Sequence, residues 1–170
     1  MLMLLCFALI QRDGQSTSRR LWGFKKRVKQ AIGRSRGGLT TKIHTLAAAE
    51  RFAINFSLSS GAANDSPQGM RLLHFTPPGK QKQYLLMDRA YSGKKMRIAA
   101  VELGYTPVVP PKRNYKEKWE YDEERYKQRN EIERFFRRLK RFRRIFTRYD
   151  KLDIVFAGFI LLAMIIDSLV

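Results

Sequence analysis

The residues whose types and spacing could best support chemistry lie in the basic stretch 126–140, which reads YKQRNEIERFFRRLK. On a continuous helix, Tyr126, Arg129, Glu133 and Lys140 fall within an arc of roughly 60°, because successive residues are about 100° apart. An ionised carboxylate on a rigid helix is a good ligand for a hard divalent cation, and arginines around it can hold phosphate groups. The spacing therefore permits a metal ligand, Glu133, beside the backbone of a nucleic acid.

The same stretch also fits a purely structural helix. A helix predicted over about residues 121–147 has an apolar stripe on another face, which is its natural core face: Ile132, Phe135, Leu139, Phe142 and Phe146. A solvated and charge-rich face opposite such a stripe is usual in an amphipathic helix. Geometry alone leaves both interpretations of Glu133 open.

A second candidate acid, Asp88, ends the short apolar run QYLLMD (83–88), which predicts a buried strand. The residues alone allow Asp88 to be a metal ligand, a cap at the end of the strand or the partner of Arg89 in an ion pair. No P-loop, dinucleotide fingerprint or zinc-type histidine spacing occurs in the sequence. The candidate chemistry therefore rests on carboxylates.

The composition favours a polyanionic partner. The chain has 170 residues, of which 34 are Lys or Arg and 15 are Asp or Glu, giving a net charge of +19. Such an excess of positive charge suits a nucleic acid or an anionic membrane surface. The apolar fraction of 44% indicates a folded core, and the single cysteine, Cys6, excludes an intrachain disulfide and a multi-cysteine zinc site. A reducing cytoplasm is the simplest interpretation.

The order of the predicted elements indicates an α/β fold, in which a mixed sheet is flanked by helices. Strands are expected at residues 1–10, 39–48, 51–60, 83–88 and about 106–109, with a loop or basic arm over 11–38. Helices are expected at residues 67–74, about 93–103 and 121–147, and about 152–169. Ser92 is expected to cap the second helix and Gly104 to end it.

The apolar tail, residues 154–170, allows two interpretations. Its 17 residues are near the lower limit for a helix that spans a bilayer, but they include Asp167, and a carboxylate is costly in hydrocarbon. A buried terminal helix is the preferred prediction. A tail anchor beside the basic stretch 134–148 is the alternative.

Five features together resemble the DDE transposases of bacterial insertion sequences, most closely the insertion-sequence-five group of the IS4-like set. One is the spacing of Tyr126, Arg129, Glu133 and Lys140. The other four are the segments GRSRGGLTTKIH (33–44), LLMDRAYSG (85–93), VVPPKRN (108–114) and FRRIFTRYDK (142–151). They occur in the family's order, and the resemblance covers about residues 30–170.

This resemblance implies a ribonuclease H-like core, in which three carboxylates hold two Mg²⁺ or Mn²⁺ ions for phosphodiester cleavage and strand transfer. Asp88 would be the second acid and Glu133 the third. The expected DNA contacts are Tyr126, Arg129, Lys140, Arg137, Arg141, Arg34, Arg36 and Lys42. The expected partners are the terminal inverted repeats and the target DNA, bound by a homodimer, without a small-molecule substrate. A cytoplasmic, nucleoid-associated protein is expected.

The sequence departs from the family at its N-terminus. The family's first aspartate should end the first strand, but MLMLLCFALI (1–10) carries no acid, and Asp13 is the sole acid before Glu50. Asp13 is therefore a doubtful candidate for the first catalytic acid. We expect an atypical segment and basic arm over 1–32 and an N-terminally incomplete catalytic domain over 33–170. A frameshifted or truncated reading frame would explain residues 1–24, and loss of one ligand predicts a DNA-binding chain that is inactive alone.

Two other functions are compatible with the sequence. A non-catalytic nucleic-acid-binding protein would use the basic helix and arm, with steep salt dependence and little sequence preference. A tail-anchored membrane protein would place its arginine-rich segment against anionic lipid, although Asp167 and the family match at 142–151 argue against it.

Overall fold

A six-stranded mixed sheet forms the centre of the fold. The structure is a computed structural model that describes residues 2–10, 29–35, 38–79 and 83–170. Its strands are β1 (Leu2–Ile10), β2 (Gly33–Ser35), β3 (Gly38–Ala49), β4 (Phe52–Ser60), β5 (Gln83–Met87) and β6 (Tyr105–Val108). They lie in the order β2-β3-β1-β5-β6, and β4 also pairs with β3.

The pairing directions confirm the predicted mixed sheet. Strand β1 is antiparallel to β3 and parallel to β5, which in turn is parallel to β6. The antiparallel pair predicted from residues 39–60 is also present, as β3 and β4. Within the predicted loop 11–38, Gly33–Ser35 is instead a short strand, and residues 11–28 and 36–37 lie outside the described part. Strand β1 belongs to the same sheet as the later strands. The domain division at residue 32 stays a prediction.

Helices cover both faces of the sheet. They are α1 (Asp65–His74), α2 (Lys94–Glu102), α3 (Glu123–Lys127), α4 (Asn130–Leu139), α5 (Arg143–Phe146) and α6 (Asp153–Leu169). Along β5 successive side chains enter different cores: Leu86 packs with α4 and α6, whereas Leu85 and Met87 pack with α1 and α2. This burial on both faces explains why β5 reads as a continuous apolar run. Burying each such side chain contributes about 1.5–3 kcal/mol.

The prediction of one helix over 121–147 is wrong, because three short helices occupy this stretch. Between α3 and α4 the backbone tightens: the N–H groups of Glu131 and Ile132 donate to carbonyls three residues back, at 3.0 and 3.1 Å. After α4 the chain becomes extended at Phe142, where ψ is 109°. This second break turns Ile145 into the core and leaves Phe146 58% exposed. The predicted core stripe therefore ends before Phe146.

Two predictions about helix ends had different outcomes. Ser92 does not cap α2: the N-cap is Gly93, and the Ser92 hydroxyl donates instead to the Arg89 carbonyl at 2.8 Å. Ser92 is thus used within the 3-10 turn Arg89–Tyr91 that follows β5. Gly104 directly follows the C-cap of α2 with φ +83°, a conformation that favours glycine. Its role in ending the helix is confirmed.

The terminal helix α6 is buried along one face only. Its inner face consists of Phe156, Ile160, Ala163 and Met164. The outer face leaves large apolar side chains exposed, including Ile154, Leu161, Leu162, Ile165 and Leu169. Among the helices that the structure describes, none is long and apolar enough to cross a membrane.

Asp167, the acid within this apolar helix, has a structural partner. Its two carboxylate oxygens accept from Nε of Arg138 at 2.7 and 3.0 Å. Arg138 also donates to the Glu50 carbonyl at 2.7 Å, in the turn between β3 and β4. The arginine therefore joins α4, α6 and the sheet, which explains a carboxylate at this place in the sequence.

Candidate functional site

Asp88 lies at the carboxyl end of β5, where the chain leaves the sheet. Its Oδ1 accepts from the backbone N–H of Arg89 at 2.7 Å, and so caps the 3-10 turn Arg89–Tyr91. The carboxylate is 31% exposed. The capping role that the sequence allowed is therefore present, and the outer side of the same carboxylate faces solvent.

A buried hydrogen-bond network fixes the turn that carries Asp88. The hydroxyl of Tyr91 lies 2.7 Å from Nδ1 of His44, and Nε2 of that ring lies 2.8 Å from Oγ of Ser59. Gly69 of α1 makes room for the tyrosine, because a Cβ there would come within 2.5 Å of the Tyr91 ring. Burial lowers the pKa of His44 to about 4, so the imidazole is neutral at pH 7.

Glu133 on α4 and Asp88 form ion pairs with the same arginine. Nη2 of Arg129 lies 2.7 Å from Oε1 of Glu133, and Nη1 lies 3.7 Å from Oδ1 of Asp88. Arg129 is the N-cap residue of α4, one turn before Glu133. Three residues that the sequence analysis predicted as site residues thus converge, although the helix that carries two of them is broken. The guanidinium lies between the two carboxylates and partly neutralises them.

Tyr126 packs beside this group. Its ring centroid is 5.4 Å from the Arg129 guanidinium, and it makes an edge-to-face contact with Tyr121 at 5.6 Å. Burial raises the pKa of the Tyr126 phenol, so at neutral pH its hydroxyl is protonated and can donate a hydrogen bond. An aromatic face and a donor therefore stand next to the two carboxylates.

The other predicted DNA-binding residues are more dispersed. Lys140 is the C-cap residue of α4, and partial burial, with Arg137 nearby, lowers the pKa of its ammonium group. It lies about 10 Å along the helix from Glu133, at 1.5 Å per residue. Arg137 and Arg141 are exposed at the same end of α4.

On the sheet side, Arg34 is exposed on β2. The ammonium of Lys42 on β3 is engaged within the fold, by Asp65 Oδ1 at 2.7 Å and the Ala63 carbonyl at 2.8 Å. Asp65 is the first residue of α1 and its N-cap is Asn64, so the aspartate serves as the partner of Lys42. Arg36 and Asp13 lie outside the described residues.

The donor set near Asp88 is too small for two metal ions. Across residues 2–10, 29–35, 38–79 and 83–170, no three His, Cys, Asp or Glu residues are grouped so that they could hold a metal ion. Asp88 and Glu133 offer two carboxylates, and Arg129 places a positive charge between them. Two-metal chemistry needs ligands that bridge and surround both ions. The described residues therefore do not fit a complete two-metal site.

Sequence reasoning missed a buried arginine that organises this side of the fold. Arg148 is fully buried and donates to Thr41 Oγ1 at 2.8 Å, to Asp153 Oδ1 at 2.7 Å and to the Asp150 carbonyl at 2.9 Å. In the sequence it is one of many basic residues between α4 and α6. No pattern in the residues distinguishes it from its solvated neighbours, since its partners come from distant elements.

Comparison with known proteins places the chain in a family. The family described as "Transposase DDE domain" matches residues 12–167. A protein of Brucella ovis (strain ATCC 25840 / 63/290 / NCTC 10512), named "Putative transposase for insertion sequence element IS6501", is 32% identical over 126 residues, which cover 74% of this chain and 95% of that protein.

Among solved structures, one similar chain belongs to a piggyBac transposase synaptic complex with hairpin DNA, with a TM-score of 0.42 and 15% identity. The match covers 68% of this chain but only 23% of that one, and a likeness at this level supports no conclusion. The family match and the Brucella relative are sufficient by themselves: the chain belongs to the transposase DDE domain family, and its function is DNA transposition.

Proposed function

We propose that this chain binds the ends of an insertion sequence and carries an incomplete DDE site, which leaves it without cleavage activity on its own. The observation that supports this most directly is the pairing of Asp88 with Glu133 through Arg129, without a third ligand among the described residues. The chain thus brings two acids together, whereas the site of the family has three.

The finer classification is part of the proposal. The mixed sheet, with Asp88 at the carboxyl end of a strand flanked by parallel strands, supports a ribonuclease H-like core. The motifs around residues 33–44 and 85–93 support the insertion-sequence-five group. The catalytic region would span 33–170, and residues 1–32 would be an atypical N-terminal segment and basic arm.

DNA is the partner that the charge favours. The net charge of +19 suits a polyanion. Tyr126 and Arg129 would contact the transposon end beside Asp88, and Lys140, Arg137 and Arg141 would hold phosphates farther along α4. Arg34, Arg36 and Lys42 would extend this contact on the sheet side, with Lys42 having to leave Asp65. A homodimer bound to terminal inverted repeats and target DNA, in the cytoplasm at the nucleoid, completes the proposal.

The family's enzymes use divalent metal ions, and Mg²⁺ or Mn²⁺ is the proposed choice for a complete site of two ions. Such ions supply activation of the attacking group and stabilisation of the leaving oxygen. In this chain Asp88 and Glu133 are the proposed ligands, and Asp13 is the doubtful third. Because the described donor set is incomplete, no reaction step is assigned to this chain.

A frameshift is the proposed origin of the N-terminal segment. Residues 1–24 would then be read in a different frame from the ancestral protein. The other two frames of the upstream DNA should encode a strand that ends in aspartate. If neither frame does, this explanation is wrong.

Divalent-cation-dependent nicking of DNA that bears the element's own terminal repeats tests the proposal. We expect binding of the repeats without cleavage, in Mg²⁺ and in Mn²⁺. Glu133→Gln and Asp88→Ala are the matched controls. Robust cleavage that both substitutions abolish would refute the inactivity and would mean that Asp13 or another acid completes the site.

A non-catalytic nucleic-acid-binding function is the second candidate, favoured by the exposed arginines of α4. Binding that discriminates the terminal repeats from random DNA of the same length argues for the transposase function. Equal affinity for both DNAs at each salt concentration would favour the simpler binding protein.

A further inference from the structure

The outer face of α6 is a continuous apolar surface that no described element covers. Large side chains along it are each at least 40% exposed: Ile154, Leu161, Leu162, Ile165, Ile166 and Leu169. The helix has 17 residues and is about 25 Å long. A monomeric protein rarely exposes a contiguous apolar patch larger than roughly a few hundred Å². We infer that this face is the surface through which two copies of the chain associate.

The area of this face is sufficient for a stable contact. Its apolar side chains, with Val155 and Val170, together expose on the order of 800 Å², which is close to the area that each partner buries in a standard protein interface. A biological interface needs roughly 1,000 Å² of buried area in total, counted over both partners. An antiparallel pair of α6 helices reaches this size even if about a third of each face stays exposed.

The charges favour a second copy as the occupant of this face. Two copies that each carry a net charge of +19 repel one another over most of their surface. The charged residues of α6 are Asp153 and Asp167, and both pair within the chain, with Arg148 and Arg138 respectively. An acidic partner would find no cation on the helix, and a helix that lies on a lipid surface usually carries Lys or Arg on its polar face. The uncharged outer face of α6 thus suits another copy of itself.

Gly158 gives this face a self-complementary shape. The residue is exposed, and a Cβ there would have no neighbour within 4 Å, so packing within the chain does not require glycine. Glycine also weakens a helix interior relative to alanine. In an antiparallel pair with a two-fold axis between Leu161 and Leu162, Leu161 faces the partner's Leu162 and Gly158 faces the partner's Ile165. The contact is reciprocal, so each glycine makes room for one isoleucine.

Sedimentation velocity of the nuclease-treated full chain without DNA tests the inference. We expect a reversible dimer at micromolar concentration. Its affinity should rise when salt is raised from about 0.1 M to about 0.5 M, because screening weakens the repulsion between two cationic copies. Association bridged by DNA would weaken with salt instead. A chain that stays monomeric at every concentration and salt would overturn the inference.

Leu162→Glu tests the position of the contact. It should weaken the dimer at least about tenfold, because two carboxylates would lie beside the two-fold axis. Val101→Glu is the matched control: Val101 is 60% exposed on α2, which packs in the other core, and its substitution should leave the affinity unchanged. Equal weakening in both variants would overturn the inference.

A mixture of two variants tests the antiparallel arrangement. Leu162→Glu mixed with Leu161→Lys should associate more tightly than either variant alone, because the arrangement places the new carboxylate opposite the new ammonium group. A mixture that associates no better than its components would overturn the inferred pairing.

Gly158→Leu distinguishes a lost contact from unfolding. Leucine favours a helix more than glycine does, so the variant should keep the folded near-UV circular dichroism. Its side chain should fill the space of the partner's Ile165 and weaken the dimer at least about fivefold. If Leu162→Glu lacks the folded signal, Gly158→Leu decides the question. An unchanged dimer affinity in Gly158→Leu would overturn the inference.

Flotation with phosphatidylglycerol vesicles tests a lipid surface as the occupant. Vesicle binding by a chain that is monomeric in solution, lost in Leu162→Glu and kept in Val101→Glu, would overturn the inference in favour of a membrane.

This interface would serve the proposed homodimer, but it does not depend on the proposed DNA binding. Loss of preference for terminal repeats would remove the proposed function and leave the dimer intact. A monomeric chain would remove the interface and leave the binding of terminal repeats unaffected.

Discussion

Two arginines from one basic stretch join carboxylates in very different surroundings. Arg129 lies between Asp88 and Glu133, whose side chains are 31% and 34% exposed. Arg138 lies between Asp167, which is 6% exposed, and the turn at Glu50. The residue types are the same, and the sequence does not show which of the two arginines is buried. The difference in burial gives the two arginines different contributions to stability, because a solvated ion pair contributes little, whereas an unpaired buried charge is costly.

The largest predicted effect is at the buried pair. Asp167→Ala should lower the free energy of unfolding by about 3–4 kcal/mol, because the Arg138 guanidinium loses its buried carboxylate partner and keeps only the more exposed Glu50 carboxylate, at 3.3 Å. Urea denaturation at pH 7 measures this change. The matched control is Glu124→Ala, which removes the solvent-exposed ion pair with Lys127 and should change stability little. A similar small loss for both variants would contradict the distinction between the two arginines.

The next effect concerns the support beneath Asp88. The pKa of His44 is lowered to about 4 in the folded chain, against about 6.5 when unfolded, so between these values the unfolded chain binds more protons. Stability is therefore complete above pH 6.5 and falls as the pH approaches 4, by about 3 kcal/mol in all. Urea denaturation across this range checks it.

His44→Gln is the control for this pH dependence, because glutamine does not titrate in the range. The difference between the two unfolding free energies should shrink steadily from pH 6.5 to pH 4, while other acids titrate alike in both chains. Parallel pH profiles for the two chains would show that His44 is not the group responsible.

The smallest effect on stability is predicted for Arg129, whose ion pairs with Asp88 and Glu133 are partly exposed. Arg129→Ala should change the free energy of unfolding by less than about 1 kcal/mol, as expected for partly solvated pairs. Its effect should instead be on DNA binding: if Arg129 contacts one phosphate, the slope of log affinity against log salt should fall by about 0.9. Fluorescence anisotropy with terminal-repeat DNA measures the slope. Arg129→Lys should keep it, and an unchanged slope in Arg129→Ala would exclude the contact.

The elements that carry the candidate site could be predicted because their signals are local. An apolar run ending in an acid marks β5 and Asp88, and alternation marks β3 and β4. The predicted closeness of Arg129 and Glu133 holds although the long helix is broken, because the two residues are about one helical turn apart. The breaks on either side of α4 were not predictable, since they depend on three-residue hydrogen bonds and on packing against α6.

The remaining parts of the site depend on contacts between distant residues. The position of β5, and of Asp88 at its end, beside β1 follows from the pairing of strands about eighty residues apart, which no local pattern records. The burial of Arg148 and of His44 likewise depends on partners from other elements. The lack of an acid in residues 2–10 could be read directly from the sequence, but the placement of this strand beside β5 required the fold.

The anchor at Arg148 has a consequence for how the chain tolerates shortening. Asp153, at the start of α6, accepts from the Arg148 guanidinium and from the Ala31 N–H at 2.7 Å, and Thr41 donates to the Ala31 carbonyl at 2.7 Å. The backbone just before β2 is therefore held by the first turn of the last helix. Deletion of α6 would remove this support from the approach to the GRSRGG segment, so damage to the last helix would also affect the chain just before β2.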